Sequence, residues 1–136
     1  MIVYRFGPHS ADELTLWFDR IGAEAMLAAL RALASAESDA ASEELRATGL
    51  RKASASAACI VLARAEQDEM IESAAAVSLG MADETVDYAQ HKLREFLVAD
   101  DFAPAEFAAF EREGRRYDTQ VYFCRLDAQI EALAGV

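Results

Sequence analysis

The sequence predicts an all-α protein, a single-domain helical bundle of about five helices with an extended N-terminal arm. Three observations predict it. The 136 residues are 54% hydrophobic, rich in alanine, and hold only two prolines and six glycines, a folded and helix-favouring composition. Apolar residues recur at helical spacing over 83–98 and near both ends of the chain. No repeat, linker or low-complexity tail divides the sequence, so residues 1–136 read as one helical domain.

The elements follow in order. Ser10 and Glu13 have the S-x-x-E spacing of a capping box, in which the hydroxyl takes an orphan N–H and the carboxylate reaches back. Leu14, Trp17, Phe18, Ile21, Ala25 and Ala28 then line one face at a spacing of about 3.6. Leu16, Met26, Leu27, Leu30 and Leu33 lie off that stripe, so this helix is expected to be central to the core. A short helix is expected over Asp39–Thr48, stopped by Gly49, and a long one over Ala53–Leu79, stopped by Gly80. In the long helix Cys59, Ile60, Ala63, Met70, Ile71, Ala74 and Val77 share an arc, and Gln67 inside it would need a polar partner.

The helix expected over Asp83–Val98 has the cleanest pattern. Val86, Ala89, Leu93, Phe96 and Leu97 share an arc of about 100°. A short helix should begin near Pro104, with Phe107 and Phe110 on one side. The last helix, over Asp118–Ala134, should turn Tyr122, Leu126, Ile130 and Leu133 inward. One alternative stands beside this reading. "IVYRF" and "QVYFCRL" are rich in β-branched and aromatic residues, so 2–6 and 120–124 could form a short strand pair.

Charge is distributed unevenly. The net charge is −11. Between Glu66 and Glu106 stand eleven acids and two bases, Lys92 and Arg94, whereas 1–65 hold eight acids and seven bases, and 107–136 hold five and four. Such a field repels phosphate backbones and anionic membranes and attracts cationic surfaces. The pairs Arg51–Lys52 and Arg115–Arg116 are too small and isolated for a nucleic-acid footprint and read as solvated loop or helix-end charges. No apolar run approaches the roughly 20 residues that span a bilayer. The first residues lack the pattern of a secretory signal, and two cysteines make no disulfide framework. The expected compartment is therefore cytoplasmic, with Cys59 and Cys124 reduced, and Cys59 an inert packed thiol.

Asp87, His91 and Glu95 stand at successive i, i+4 steps, the pattern of a metal or proton-relay face. With Asp87 at zero, His91 falls near ~40° and Glu95 near ~80°, while the apolar arc of the same helix centres near ~230°. Bundle metal sites need ligands that point inward from facing helices. The line is therefore expected to be a solvated face, with no metal, cofactor or catalytic residue. Phosphate loops, nucleophile elbows and zinc-ligand spacings are absent from the sequence.

The expected function is that of a non-enzymatic acidic interaction protein. It would bind a basic protein partner, as an inhibitor or immunity-type protein neutralising a toxin such as a nuclease would. The expected partner-binding residues are Glu66, Glu69, Glu72, Glu84, Asp87, Asp100, Asp101 and Phe107. Two rival readings are a metal- or proton-handling enzyme built on Asp87, His91 and Glu95, and a homo-oligomeric structural module.

Overall fold

The computed structural model describes residues 1–52 and 54–135. Its architecture overturns the all-α helical bundle. Eight strands and three helices follow one another among the described residues. They are β1 (Ile2–Phe6), β2 (Glu13–Phe18), α1 (Arg20–Ser35), β3 (Ser42–Arg51), β4 (Ser54–Arg64), β5 (Glu69–Glu72), β6 (Ala76–Met81), α2 (Asp83–Ala99), β7 (Glu106–Arg112), β8 (Thr119–Arg125) and α3 (Ala128–Leu133). The strands close into one barrel in the order β1-β2-β8-β7-β5-β6-β4-β3.

This order hides a repeat that the sequence does not announce. Each half of the chain runs strand, strand, helix, strand, strand. In each, the first strand pairs antiparallel with the second and parallel with the third, and the third pairs antiparallel with the fourth. The fourth strand of each half joins the second strand of the other in parallel. The register repeats as well. Leu126 N–H donates to the Phe18 carbonyl at 2.8 Å, and Ala65 N–H donates to the Met81 carbonyl at 2.9 Å, at equivalent places in the two halves. The same register maps Tyr4 onto Met70, Phe6 onto Glu72 and Gly49 onto Arg112.

Strand alternation builds the main core. Leu14, Leu16 and Phe18, Ile60 and Leu62, Val77, Leu79 and Met81, and Val121 and Phe123 are all buried on the inner face. Onto it α1 lays Ala23, Met26, Leu27, Leu30 and Leu33, and α2 lays Val86, Ala89, Leu93 and Phe96. The two helices pack against each other, and Arg20 at the start of α1 donates to the Leu97 carbonyl near the end of α2 at 3.0 Å. A second, smaller core of Val3, Trp17, Leu50 and Ile130 joins α3 to the outer face.

The corrections have identifiable causes. Ser10 does not cap a helix; its hydroxyl accepts from Asp12 N–H in the β1–β2 connection, and Glu13 opens a strand. The helix starts at Arg20, where Asp19 accepts from Gly22 N–H at 2.7 Å. Its buried face is therefore the set that lay off the expected stripe, and Ile21 is 73% exposed. The expected helix over Asp39–Thr48 is largely β3. The expected long helix, whose start at Ala53 lies outside the described residues, is β4, β5 and β6. Gln67 is exposed and asks for no buried partner.

The segment near Pro104 is β7, whose register shifts by one residue between Glu106 and Ala108. A bulge of this kind flips the facing of the following residues. It lets Phe107 and Phe110, at helical spacing, both enter the core of a strand-built protein. The last expected helix divides into β8 and the short α3. Both segments of the alternative strand pair are strands, but they do not pair with each other: β2 lies between them. The helix expected over Asp83–Val98 is present as α2, with Leu93 and Phe96 buried and His91 exposed. No helix among the described residues is long and apolar enough to cross a membrane.

Gly22 is the tightest point in the fold. A Cβ there would stand 2.2 Å from the Met1 carbonyl oxygen. An exposed helical glycine gains about 1 kcal/mol on replacement by alanine. Gly22→Ala is instead expected to lose about 1 to 3 kcal/mol through overpacking, measured by chemical denaturation.

Candidate functional site: the mouth of the barrel

The strand ends away from the start of α1 surround a mouth. Tyr4 and Phe6 on β1, Gly49 and Arg51 on β3, Met70 and Glu72 on β5, and Phe110 and Arg112 on β7 alternate onto the inner face there. Two adjoining hollows, of about 460 and 350 Å³, meet at Phe6, Arg51 and Glu72. Both lie among the strand-connecting turns. Ligand sites recur in the mouths of β-barrels, where a shaped concavity meets a few placed polar groups.

Arg112 is buried, and its contacts fix it firmly. One guanidinium nitrogen donates to Glu72 at 2.7 Å, and the other donates to the Ala11 carbonyl at 3.2 Å and to Thr119 Oγ1 at 3.4 Å. The guanidinium lies 4.7 Å from the centre of the Phe6 ring. Because Arg112 is the counterpart of Gly49, and Glu72 that of Phe6, the ion pair has no equivalent in the other half. At the Gly49 position the missing side chain leaves room for Tyr4: a Cβ would lie 3.1 Å from the Tyr4 hydroxyl oxygen. Burial chiefly raises the Tyr4 hydroxyl above its ordinary pKa, Cys59 and Glu72 add to the rise, and Arg51 opposes it. Tyr4 therefore stays a hydrogen-bond donor throughout the physiological range.

The charge of the mouth opposes that of the whole chain. Arg51, Lys52, Arg112 and Arg115 line it against the single carboxylate of Glu72, in a protein of net charge −11. Arg51, Lys52 and Arg115 form no ion pair among the described residues. Ser54, Ser56 and Ser73 add hydroxyls on one side, and Phe6 adds an aromatic wall. The sequence dismissed Arg51–Lys52 and Arg115 as isolated loop charges, because only the closure of the barrel makes them neighbours.

The residues expected to bind a partner do not form one belt. Phe107 is in the core, stacked on Phe123 at 4.4 Å between ring centres. Glu72 belongs to the mouth. Asp100 caps α2 in the left-handed conformation, with φ of 60°, and pairs with Arg125 at 3.3 Å. Asp101 is exposed beside a small hollow at the far side of α2, and Glu69 is exposed on β5. Glu66 and Glu84 do come together. With Asp39 and Asp83 they ring a hollow of about 520 Å³ at the start of α2, at the opposite end of β6 from the mouth. Arg64 in its wall pairs with Asp39 at 3.1 Å and with Asp83 at 3.6 Å. Asp87 is exposed one turn further along α2.

The Asp87–His91–Glu95 line is likewise only partly joined. His91 pairs with Glu95, and Asp87 takes no part in the pair. Among the described residues no group of three His, Cys, Asp or Glu side chains gathers as metal ligands. His91→Ala is expected to change stability by no more than about 0.5 kcal/mol, as for an ordinary surface position, in a denaturant titration. The thiols are free. Cys59 is half-buried on β4 and not packed in the main core as expected, and a hydrogen bond with Glu44 leads the causes that raise its pKa.

No family model matches the chain, and no curated protein or solved structure matches it either.

Proposed function

We propose that the protein is a non-enzymatic binding module whose barrel mouth receives a small organic anion. The observation that carries this reading is the reversal of charge at the mouth: four bases and one carboxylate line a concavity in a strongly acidic chain. Arg112, oriented by Glu72, supplies a fixed cation at the floor. Arg51, Lys52 and Arg115 supply adjustable cations at the rim, and Tyr4 and Phe6 supply an aromatic surface for the body of the ligand. Planar guanidinium groups suit carboxylates especially well. The surrounding acidic surface repels anions that approach elsewhere, which favours the mouth.

Thermal unfolding with phenylacetate, succinate and inorganic phosphate tests the proposal. A ligand that binds only the folded state adds about 2.7 kcal/mol of stability at a hundred times its Kd. Phenylacetate, with an apolar body for Phe6, is expected to raise Tm most, and Arg51→Glu to abolish the rise. The same rise in Arg51→Glu, or no rise with any anion, would exclude the mouth.

A second reading rests on a different observation, the ring of Asp39, Glu66, Asp83 and Glu84 at the other end of β6. This acidic hollow suits a lysine or arginine side chain of a basic protein. An inhibitor or immunity-type role in the cytoplasm against a basic toxin is one form of that reading. Association should slow as salt rises, since exposed charges are screened over about 8 Å at physiological ionic strength. Glu66→Lys with Glu84→Lys should cut the on-rate while leaving the unfolding free energy nearly unchanged. Unaltered association kinetics in that double variant would remove the hollow from consideration.

A further inference from the structure

Lys92 is buried, 6% exposed, on α2. Its Nζ lies 5.4 Å from the centre of the Tyr88 ring and 6.0 Å from that of Phe102. The nitrogen donates to the Pro104 carbonyl. Among the described residues it forms no ion pair, and Glu95 on the same helix pairs with His91. Beside it opens a hollow of about 130 Å³ walled by Tyr88, Phe102 and Pro104 and rimmed by His91, Glu95 and Asp101. A surface lysine is hydrated and protonated, whereas this one is buried beside aromatic rings at the wall of the hollow.

We propose that Lys92 is a nucleophilic amine that forms a reversible imine with a small, uncharged aldehyde or ketone seated in this hollow. Desolvation lowers the pKa of Lys92 below the ordinary lysine value, against the opposing effects of Glu95, Cys124 and Glu106, so its neutral form is favoured relative to an exposed lysine. The lone pair of that neutral amine attacks the carbonyl carbon, forming the C–N bond, and one N–H proton passes to the oxygen. The resulting carbinolamine then loses its hydroxyl with the second N–H proton as one water, leaving the C=N bond. No electrons are gained or lost. His91, exposed at the rim and paired with Glu95, is placed to relay both protons.

The hollow selects size and charge. A cavity of about 150 Å³ accommodates benzene, so this one suits a carbonyl compound of roughly four carbons. Glu95 and Asp101 at the rim disfavour a carboxylate, which separates this chemistry from the anion-binding mouth.

The chain contains its own control, because Lys52 is its only other lysine and is exposed. The folded protein is incubated at neutral pH with butanal and cyanoborohydride, which reduces each imine to a stable secondary amine, and the labelled peptides are followed by mass spectrometry. The expected result is butylation of Lys92 ahead of both Lys52 and the Met1 α-amine, with the preference lost in guanidinium and the adduct lost in Lys92→Met. The wild-type comparison of Lys92 with Lys52 stands whether or not that variant folds. Labelling of Lys52 and Met1 ahead of Lys92, or an equal preference in the unfolded chain, would overturn the proposal.

Discussion

Phe123→Ala is expected to lower stability by about 3 to 5 kcal/mol, the range for removing a buried aromatic ring. Phe123 has no exposed surface. Its ring meets Phe107 at 4.4 Å, Phe18 at 5.2 Å and Phe102 at 5.7 Å, measured between centres. It thus links strands β2, β7 and β8 to the segment after α2. Truncation would leave a cavity bounded by three rings that cannot all collapse into it. At roughly 4 °C per kcal/mol, Tm should fall by about 10 to 20 °C. Leu133→Ala, on the exposed side of α3, should cost no more than about 0.5 kcal/mol. The pair also distinguishes the folds: a helix over Asp118–Ala134 would turn Leu133 inward and make its truncation costly, whereas Leu133 is exposed on α3. Differential scanning calorimetry of both variants reads the order directly, and the reverse order would contradict the barrel.

Arg112→Ala should have two effects that can be separated. In the free protein it leaves the Glu72 carboxylate without its partner and removes the donors to Thr119 and the Ala11 carbonyl. Breaking a buried ion pair costs about 3 to 5 kcal/mol; a figure near 3 is expected here because the Glu72 side chain remains 33% exposed. The second effect is loss of anion binding, since the fixed cation of the mouth is gone. Arg51→Glu provides the complement. Arg51 lies at the rim with no ion pair, so that change should abolish binding while stability stays within about 0.5 kcal/mol. Urea titrations with and without phenylacetate measure both quantities on the same samples.

The parts of the fold that were legible were those whose signal is local. The helix α2 declared itself because its apolar arc is narrow and its opposite face is charged. The β-branched and aromatic runs of β1 and β8 were readable as candidate strands for a similar reason. The strand β2 was not legible. Leu14, Leu16 and Phe18 face the main core while Trp17 is buried outside under α3, so the burial on both faces erases the alternation that marks a strand. The capping-box spacing of Ser10 and Glu13 then supplied a false start. In β4 the four alanines carry helical propensity, but long-range pairing overrides it.

The candidate site was less legible than the fold. Tyr4, Arg51, Glu72 and Arg112 come from four strands spread along most of the chain, and no spacing joins them. The internal repeat relates them, but it is written in hydrogen-bond register and not in residue identity. Tyr4 answers to Met70, Phe6 to Glu72 and Gly49 to Arg112, so the positions that build the mouth are those that conceal the duplication. The acidic bias was visible in the sequence, whereas its division between a mouth of opposite charge and a separate acidic hollow required the closed sheet.

Backbone and side-chain NMR shifts followed during a phenylacetate titration show whether the mouth, and not another surface, takes the anion. Saturable shifts are expected to concentrate at Tyr4, Phe6, Gly49, Arg51, Glu72 and Arg112, with residues around Glu66 and Glu84 unmoved. Shifts centred on the acidic hollow, or small unsaturating changes spread over the whole surface, would contradict it.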